Sequence, residues 1–412
     1  MKKLSSFVLA VSLSVCLASS FISASAIAAE EQKVSPKVGK PLQEAIAANS
    51  KKQYEEALAK VNEARAAPDK TAFEEFKINQ VAGSALVGAK KYNEAAAAFE
   101  KLLDSGFLPP EQVEVYTKTV IQIFLNNNQN AKLLDYLPRW IKTHPNDTEM
   151  ITFLAKAQYN SGQFKAAKET LEGLISSAEK SGQRPKEDWF KSLVSVQFYK
   201  LSDGKLDKPA LAVIEKALHY YPTPALWQNM LAGLKDQQMT DALKFQVFRL
   251  MLTVGALKSG EDYVELAQLA NSFGFPAEGV NVLNAGFAAK ELGEGDAKER
   301  DNRKLTWMKK NLDVDKAELP AEEQKAKASA DGQADVLLGE DYIGYGQYAQ
   351  AIEAIERGLK KGGVKKPDQA QMALGIAYYN NKQKDQARSA FKQVPATSDL
   401  KRIAELWMLH IG

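Results

Sequence analysis

Cysteine is nearly absent: one in 412 residues, Cys16, with none after it. A disulfide-stapled scaffold and a thiolate metal site are therefore excluded from everything beyond that position. Histidine is almost as scarce. His144, His219 and His410 lie far apart, and no H-E-x-x-H stretch occurs, so neither a metal site nor a cofactor is expected. Charge of one sign is lacking too. Lys and Arg number 54 against 51 Asp and Glu, a net +3, too little for a protein that holds nucleic acid by neutralising phosphates. With 25 Gly and 15 Pro the chain is not collagen-like or low in complexity. What is there, 45% hydrophobic and 25% charged residues, is the balance of a folded soluble protein.

The one long apolar run comes first. Lys2 and Lys3 precede an uncharged stretch, with FVLAVSLSVCLASSF at its centre, that ends in Ala26-Ile27-Ala28 and gives way to Ala29-Glu30-Glu31. A basic start, an apolar middle and small residues at −3 and −1 read as a secretory signal peptide over residues 1–28. The stretch is long enough to anchor in a bilayer, but the A-x-A site and the abrupt acidic start favour cleavage. Lipidation at Cys16 is disfavoured, because Val15 stands where a small residue should precede the cysteine. The expected address is the periplasm, with no stable membrane insertion after cleavage, since no later run reaches transmembrane length. Residues 29–39 lack apolar periodicity and are expected to be a flexible start.

The rest of the chain repeats itself. Residues 154–174, LAKAQYNSGQFKAAKETLEGL, align with residues 374–394, LGIAYYNNKQKDQARSAFKQV. Each has a Leu, a Tyr five residues on, a polar turn, an Ala thirteen after the Leu (Ala167, Ala387), and a large apolar residue four beyond (Leu171, Phe391). Residues 338–359 and 82–102 follow the same pattern. It resembles the tetratricopeptide repeat, a 34-residue helix pair with a small residue in helix A, an aromatic at the turn and an Ala in helix B. The resemblance implies close-packed helices, with Gly83, Gly339 and Gly375 facing Ala95, Ala351 and Ala387. The helix-B small position recurs at Ala57, Ala95, Leu133, Ala167, Ala210, Leu243, Gly279, Ala351 and Ala387. Leu133 and Leu243 depart from the pattern. The 43-residue step after Ala167 carries an insertion near residues 181–185, and the 72-residue step after Gly279 leaves room for a tenth, degenerate pair. Pro145 and Pro222 stop helix B in two of the units.

The expected fold is therefore all-α, a TPR-like solenoid of about ten antiparallel helix pairs. The N-terminal solenoid covers 40–311 and a charged connection 312–332. Residues 333–412 hold a C-terminal TPR pair and a capping helix. Ser398 or Asp399 should start that helix, and Leu400, Ile403, Leu406 and Trp407 should form its apolar face.

No motif carries chemistry. Gly255 to Gly260 begins like a phosphate loop, but Glu261 stands where the lysine must be. There is no G-x-S-x-G elbow, and no stretch supplies the acid of a lytic transglycosylase. No catalytic residue is assigned. The resemblance implies instead that helix A residues line a groove for a partner: Thr152, Lys156, Tyr159 and Asn160 in one unit, Met372, Ile376, Tyr379 and Asn380 in another. The function expected is a non-enzymatic scaffold binding other envelope proteins or extended peptides. In architecture the chain also resembles exported repeat proteins assigned to TonB energy-transduction systems. The alternative is a cell-wall or polysaccharide-associated factor, an unrecognised hydrolase or a sugar binder. The five Trp fall on helical faces that suit core packing.

Overall fold

The computed structural model describes residues 33–235 and 239–412. The expected signal peptide, residues 1–28, and the first four residues of the expected flexible start, 29–32, lie outside them. The described residues form helices and turns with no strand. They fall into two compact units, one ending at Leu174 and the other spanning Ile175–Gly412.

The first unit is built of helix hairpins: α1 Pro36–Ser50 with α2 Tyr54–Arg65, α3 Ala72–Gly88 with α4 Tyr92–Asp104, and α5 Pro110–Asn126 with α6 Asn130–Thr143. α7 Thr148–Asn160 follows, with the first part of α8 Phe164–Lys180. Residues 36–39, expected in the flexible start, are instead the first turn of α1. Pro36 sits where a helix has no use for an N–H, and Val38 is buried.

One turn is used again and again. Lys52, Lys90, Asn128, Gly162, Gly346 and Lys382 all adopt positive φ between the two arms of a hairpin. The next residue's N–H closes back on the helix just ended: Gln53 on the Ala48 carbonyl at 2.9 Å, Lys91 on Leu86 at 2.8 Å, Gln383 on Tyr378 at 2.9 Å. This is the Schellman closure, which satisfies carbonyls a helix end would leave open. The repeated polar turn in the sequence is its signature.

Inside each hairpin the small residues let the arms approach. Ala57, Ala95, Ala167, Ala351 and Ala387 are each wholly buried. Gly339 faces Ala351 as expected, a Cβ there lying 3.0 Å from the Ala351 carbonyl, whereas the nearest atoms to Gly83 and Gly375 belong to the large residue four beyond the alanine. A Cβ at Gly83 would lie 2.2 Å from the Phe99 ring, one at Gly375 2.5 Å from Phe391, and one at Gly339 2.4 Å from Ile355. The missing side chain makes room for the large residue one turn beyond the alanine. Burying each such ring or branched chain contributes about 1.5–3 kcal/mol.

The second unit begins with α9 Glu187–Val194, which passes directly into a π-helical segment, Ser195–Leu201, before α10 Lys208–Tyr220. The extra length after Ala167 is spent there and in the turn before α9. Buried Ser202 holds the segment's exit: it accepts from Gln197 at 2.9 Å and donates to Asp207 at 2.8 Å, and Asp207 caps α10. The hairpins α11 Pro224–Lys235 with α12 Asp241–Thr253 and α13 Gly260–Ser272 with α14 Pro276–Ala288 follow. Helices α6 and α10 end at Thr143 and Tyr220, just before Pro145 and Pro222.

No tenth pair fills the 72-residue step. One 31-residue helix, α15 Lys298–Ala328, stands in its place. It takes in most of the segment expected to be a charged connection. At 1.5 Å per residue it is about 46 Å long. Its buried residues are Asp301, Met308 and Ala326, so it offers a neighbour one thin stripe. Nothing in it could fold back as a second arm, because no second apolar face exists. The hairpins α16 Gln333–Gly344 with α17 Tyr348–Lys361 and α18 Pro367–Asn380 with α19 Lys384–Lys392 complete the array, for nine hairpins in the described residues.

The last helix, α20 Lys401–Ile411, buries the expected face: Leu400, Ile403, Leu406 and Trp407 are at most 4% exposed. Ser398 stands at its start, its Oγ accepting from the Leu400 N–H at 3.1 Å. It does more than cover α19, because it also packs on α10 and α12. The Arg402 guanidinium reaches Glu215 on α10 and approaches Met230 Sδ on α11 at 3.9 Å. The His410 ring lies 5.9 Å from Trp227 on α11. The second unit thus closes on itself.

Candidate functional site

The two sets of expected groove residues fare differently. In the first unit Lys156 and Asn160 are exposed, and Asn160 bonds Asn130 at 3.3 Å. Thr152 donates to the Thr148 carbonyl of its own helix. Tyr159 is half-buried, its ring edge-on to Phe164 at 5.5 Å. In the second unit the set is no open groove. Met372 and Ile376 are buried in the core. Tyr379 packs on Trp407 at 5.4 Å, and its hydroxyl lies 2.9 Å from His410 Nε2. Asn380 bonds the Ile376 carbonyl. The chain's own α20 takes the aromatic contact expected of a partner. Burial holds the His410 imidazolium back, so its pKa falls below the ordinary histidine value.

Each unit carries a cleft. In the first, α2, α3 and α4 line a space of about 480 Å³ with Glu55, Asn62, Arg65, Asn79, Lys91 and Lys101. Its floor is open because Ala59, Ala82, Ala97 and Ala98 present no bulk. Arg65 donates to Asn79 at 3.3 Å, and Lys91 pairs with Glu55 at 2.9 Å.

The second unit's cleft, about 230 Å³, is smaller and chemically more pointed. Phe245 and Gln246 of α12 line it with Phe273, Val336, Leu337 and Glu340. Behind Phe245 lies a buried ion pair. Arg249 donates from Nε and Nη2 to the two Glu278 oxygens at 2.8 and 2.5 Å, with its guanidinium 4.0 Å over the Phe245 ring. Burial pushes the half-buried Glu340 up to about 7, with Glu278 adding repulsion and Arg249 and Lys366 pulling back. Gln246 is 4% exposed and its Oε1 has no hydrogen-bond partner.

A second perturbed carboxyl stands next to it in sequence. Asp341 is buried, neither of its oxygens has a hydrogen-bond partner, and burial together with Asp315 and Glu322 raises it to about 8. Among the described residues no group of His, Cys, Asp and Glu is placed to hold a metal ion. No described helix is long and apolar enough to cross a membrane.

Sequence reasoning missed the Arg249 cluster. Its signal was present: Leu243 broke the small-residue pattern, and the run FQVFRLM that follows is buried throughout, Gln246 and Arg249 included. It also misplaced one tryptophan. Trp140, Trp189, Trp227 and Trp407 are core residues, whereas Trp307 on α15 is 51% exposed.

Stacked hairpins with Schellman turns, small residues at the close approaches and a terminal helix over the last unit define a helical repeat protein with TPR-like packing. Residues 336–399 match the family model described as tetratricopeptide repeat, which covers most of α16 to α19. That stretch of the chain carries the tetratricopeptide repeat. No curated protein matches the chain. Among solved structures it is similar to YrrB, a TPR protein with an unusual peptide-binding site, at 21% identity over 49% of this chain and 93% of that one, with a TM-score of 0.29. It is similar to a chain of Naa15/Naa10 bound to HypK-THB at 16% identity, over 90% of this chain and 60% of that one, with a TM-score of 0.43. A tetratricopeptide repeat protein from Parabacteroides merdae is similar at 9% identity, over 92% of this chain and all of that one, with a TM-score of 0.27.

Proposed function

We propose that the protein is a non-enzymatic scaffold of the bacterial envelope, exported to the periplasm, that holds extended segments of other proteins. The observation that carries this reading is the construction of the two units: repeated hairpins with side-chain-lined clefts on rigid helices. Export rests on the signal-like residues 1–28, and a role beside a TonB energy-transduction system rests on architectural resemblance alone. The test is crosslinking in the living cell followed by recovery of the tagged chain. A defined set of envelope proteins supports the reading, and a chain retained in the cytoplasm with its first 28 residues intact overturns it.

A second reading, a cell-wall associated factor, has two features in its favour. Trp307 is exposed where a sugar ring could stack, and Glu340 sits near neutrality in a cleft. Release of soluble fragments from isolated sacculi by the purified chain, abolished in Glu340→Gln, would establish it over the scaffold.

A further inference from the structure

We propose that the cleft of the second unit is a socket for one arginine side chain of an extended partner segment, with Glu340 and Gln246 holding the guanidinium and Phe245, Phe273 and Leu337 holding its stem. This rests on the scaffold reading and names the chemistry one of its sites selects.

Size comes first. A space of about 230 Å³ suits one large side chain, since clefts that take small molecules run from about 300 Å³ upward. The polar groups then choose among large side chains. Gln246 offers a buried acceptor with no donor. Glu340 forms no ion pair in the described residues, because Arg249, the cation beside it, is committed through two bonds to Glu278. Both groups call for donors, and a planar guanidinium supplies several in one plane. The walls agree. Phe273 is 38% and Leu337 47% exposed, so an aliphatic stem arriving there would cover apolar surface. The fold already sets one guanidinium over the Phe245 ring, as Arg249 shows.

Lys365 and Lys366 line the same cleft. They repel a segment of uniformly positive charge and favour acidic residues on either side of the arginine. The partner motif is therefore an arginine flanked by Asp or Glu. The charged groups facing Glu340 are Arg249 from α12, Glu278 from α14 and Lys366 at the start of α18. An incoming guanidinium adds to the two cations and favours the ionised carboxylate. Binding should strengthen as pH rises from 6 to 8.

The experiment is fluorescence anisotropy on the full chain, with labelled octapeptides carrying one arginine between Asp and Glu, and matched peptides with citrulline, lysine or leucine in its place. The arginine peptide should bind at least about tenfold more tightly than the citrulline and leucine peptides. Glu340→Gln should remove that preference and flatten the pH dependence. Leu337→Lys, at a position 47% exposed, should block binding while circular dichroism and melting stay as in the parent. Equal binding of the leucine peptide, indifference to Glu340→Gln, or no binding by any peptide overturns the socket. Full recovery of crosslinked partners by Leu337→Lys would also overturn it while leaving the scaffold reading intact, whereas loss of all crosslinked partners from the parent chain sinks the scaffold itself.

Discussion

Arg402 on the last helix holds Glu215 on α10, 187 positions earlier in the chain, with Nη2 2.6 Å from Oε2. Both side chains are more than a third exposed, so the pair by itself contributes about 0.5–1 kcal/mol. Its importance is positional. It pins α20 to helices that a linear array would leave far from its end. Arg402→Ala should lower stability by no more than that amount. Trp407→Ala, which empties a fully buried site, should cost about 3–5 kcal/mol. Hydrogen exchange decides the point: Trp407→Ala should loosen amides in α10 and α12 as well as in α18 and α19. Loosening confined to α18 and α19 would mean the closure carries no load.

Gly83→Ala tests the close approach of the hairpin arms. The new methyl group would meet the Phe99 ring at 2.2 Å and must displace it, at a cost of about 1–3 kcal/mol. Gly83→Ala with Phe99→Leu should lose less than the sum of the two single changes. Additive losses in thermal melts would show that the two residues do not share one space.

The turn residue Lys90 holds φ at 60°, where a lysine pays steric strain that glycine avoids. Lys90→Gly should stabilise by up to about 1 kcal/mol. Lys90→Val, branched at Cβ, should destabilise by about 1 kcal/mol or more. Equal melting temperatures for both would contradict the strain.

Asp341 gives a pH dependence of known sign. Its folded pKa, about 8, lies above the ordinary aspartate value of 3.8, so the folded chain keeps the proton more tightly than the unfolded one. Stability is greatest below the unfolded value and is lost as pH rises towards 8. Asp341→Asn, which stays neutral, should melt higher than the parent at pH 8.5 and close to it at pH 4. Each kcal/mol regained raises the midpoint by about 2–4 °C in a unit of this size. A gain at pH 4 equal to that at pH 8.5 would exclude ionisation as the cause.

Tyr379→Ala should behave as a core change, costing about 3 kcal/mol, because its ring lies on Trp407. Tyr159→Ala should cost less, as among the described residues only Phe164 lies against it as an aromatic neighbour. The contrast shows what the sequence could reveal. The repeat pattern placed both tyrosines alike, and locally they are alike, each five residues after its leucine. What differs is a helix that arrives at Tyr379 from further along the chain. Periodicity reports contacts within a hairpin and between neighbouring hairpins, so the nine hairpins, their turns and the buried face of α20 were legible. Two features were not. The long helix α15 keeps the residue count of a hairpin while losing its second apolar face, so counting periods overcounted arms. The Arg249 cluster depends on bringing α12, α14 and α16 together, and no local spacing announces that.

Helix α15 has a mechanical consequence. Its first half is braced where Met308 packs over Gly279 of α14, and its second where Asp315 accepts from the Tyr345 hydroxyl, at the end of α16. A rod held at two stations along one stripe acts as a ruler. Inserting seven residues between them would lengthen it by about 10 Å and turn the stripe by only about 20°. Both stations would keep their facing side chains, at the wrong separation. Removing five would swing the second station to the far side of the rod by about 140°. The register of α15 against α14 and α16 is thus written in the seven-residue step from Met308 to Asp315, in a helix whose remaining faces are open to almost any polar residue.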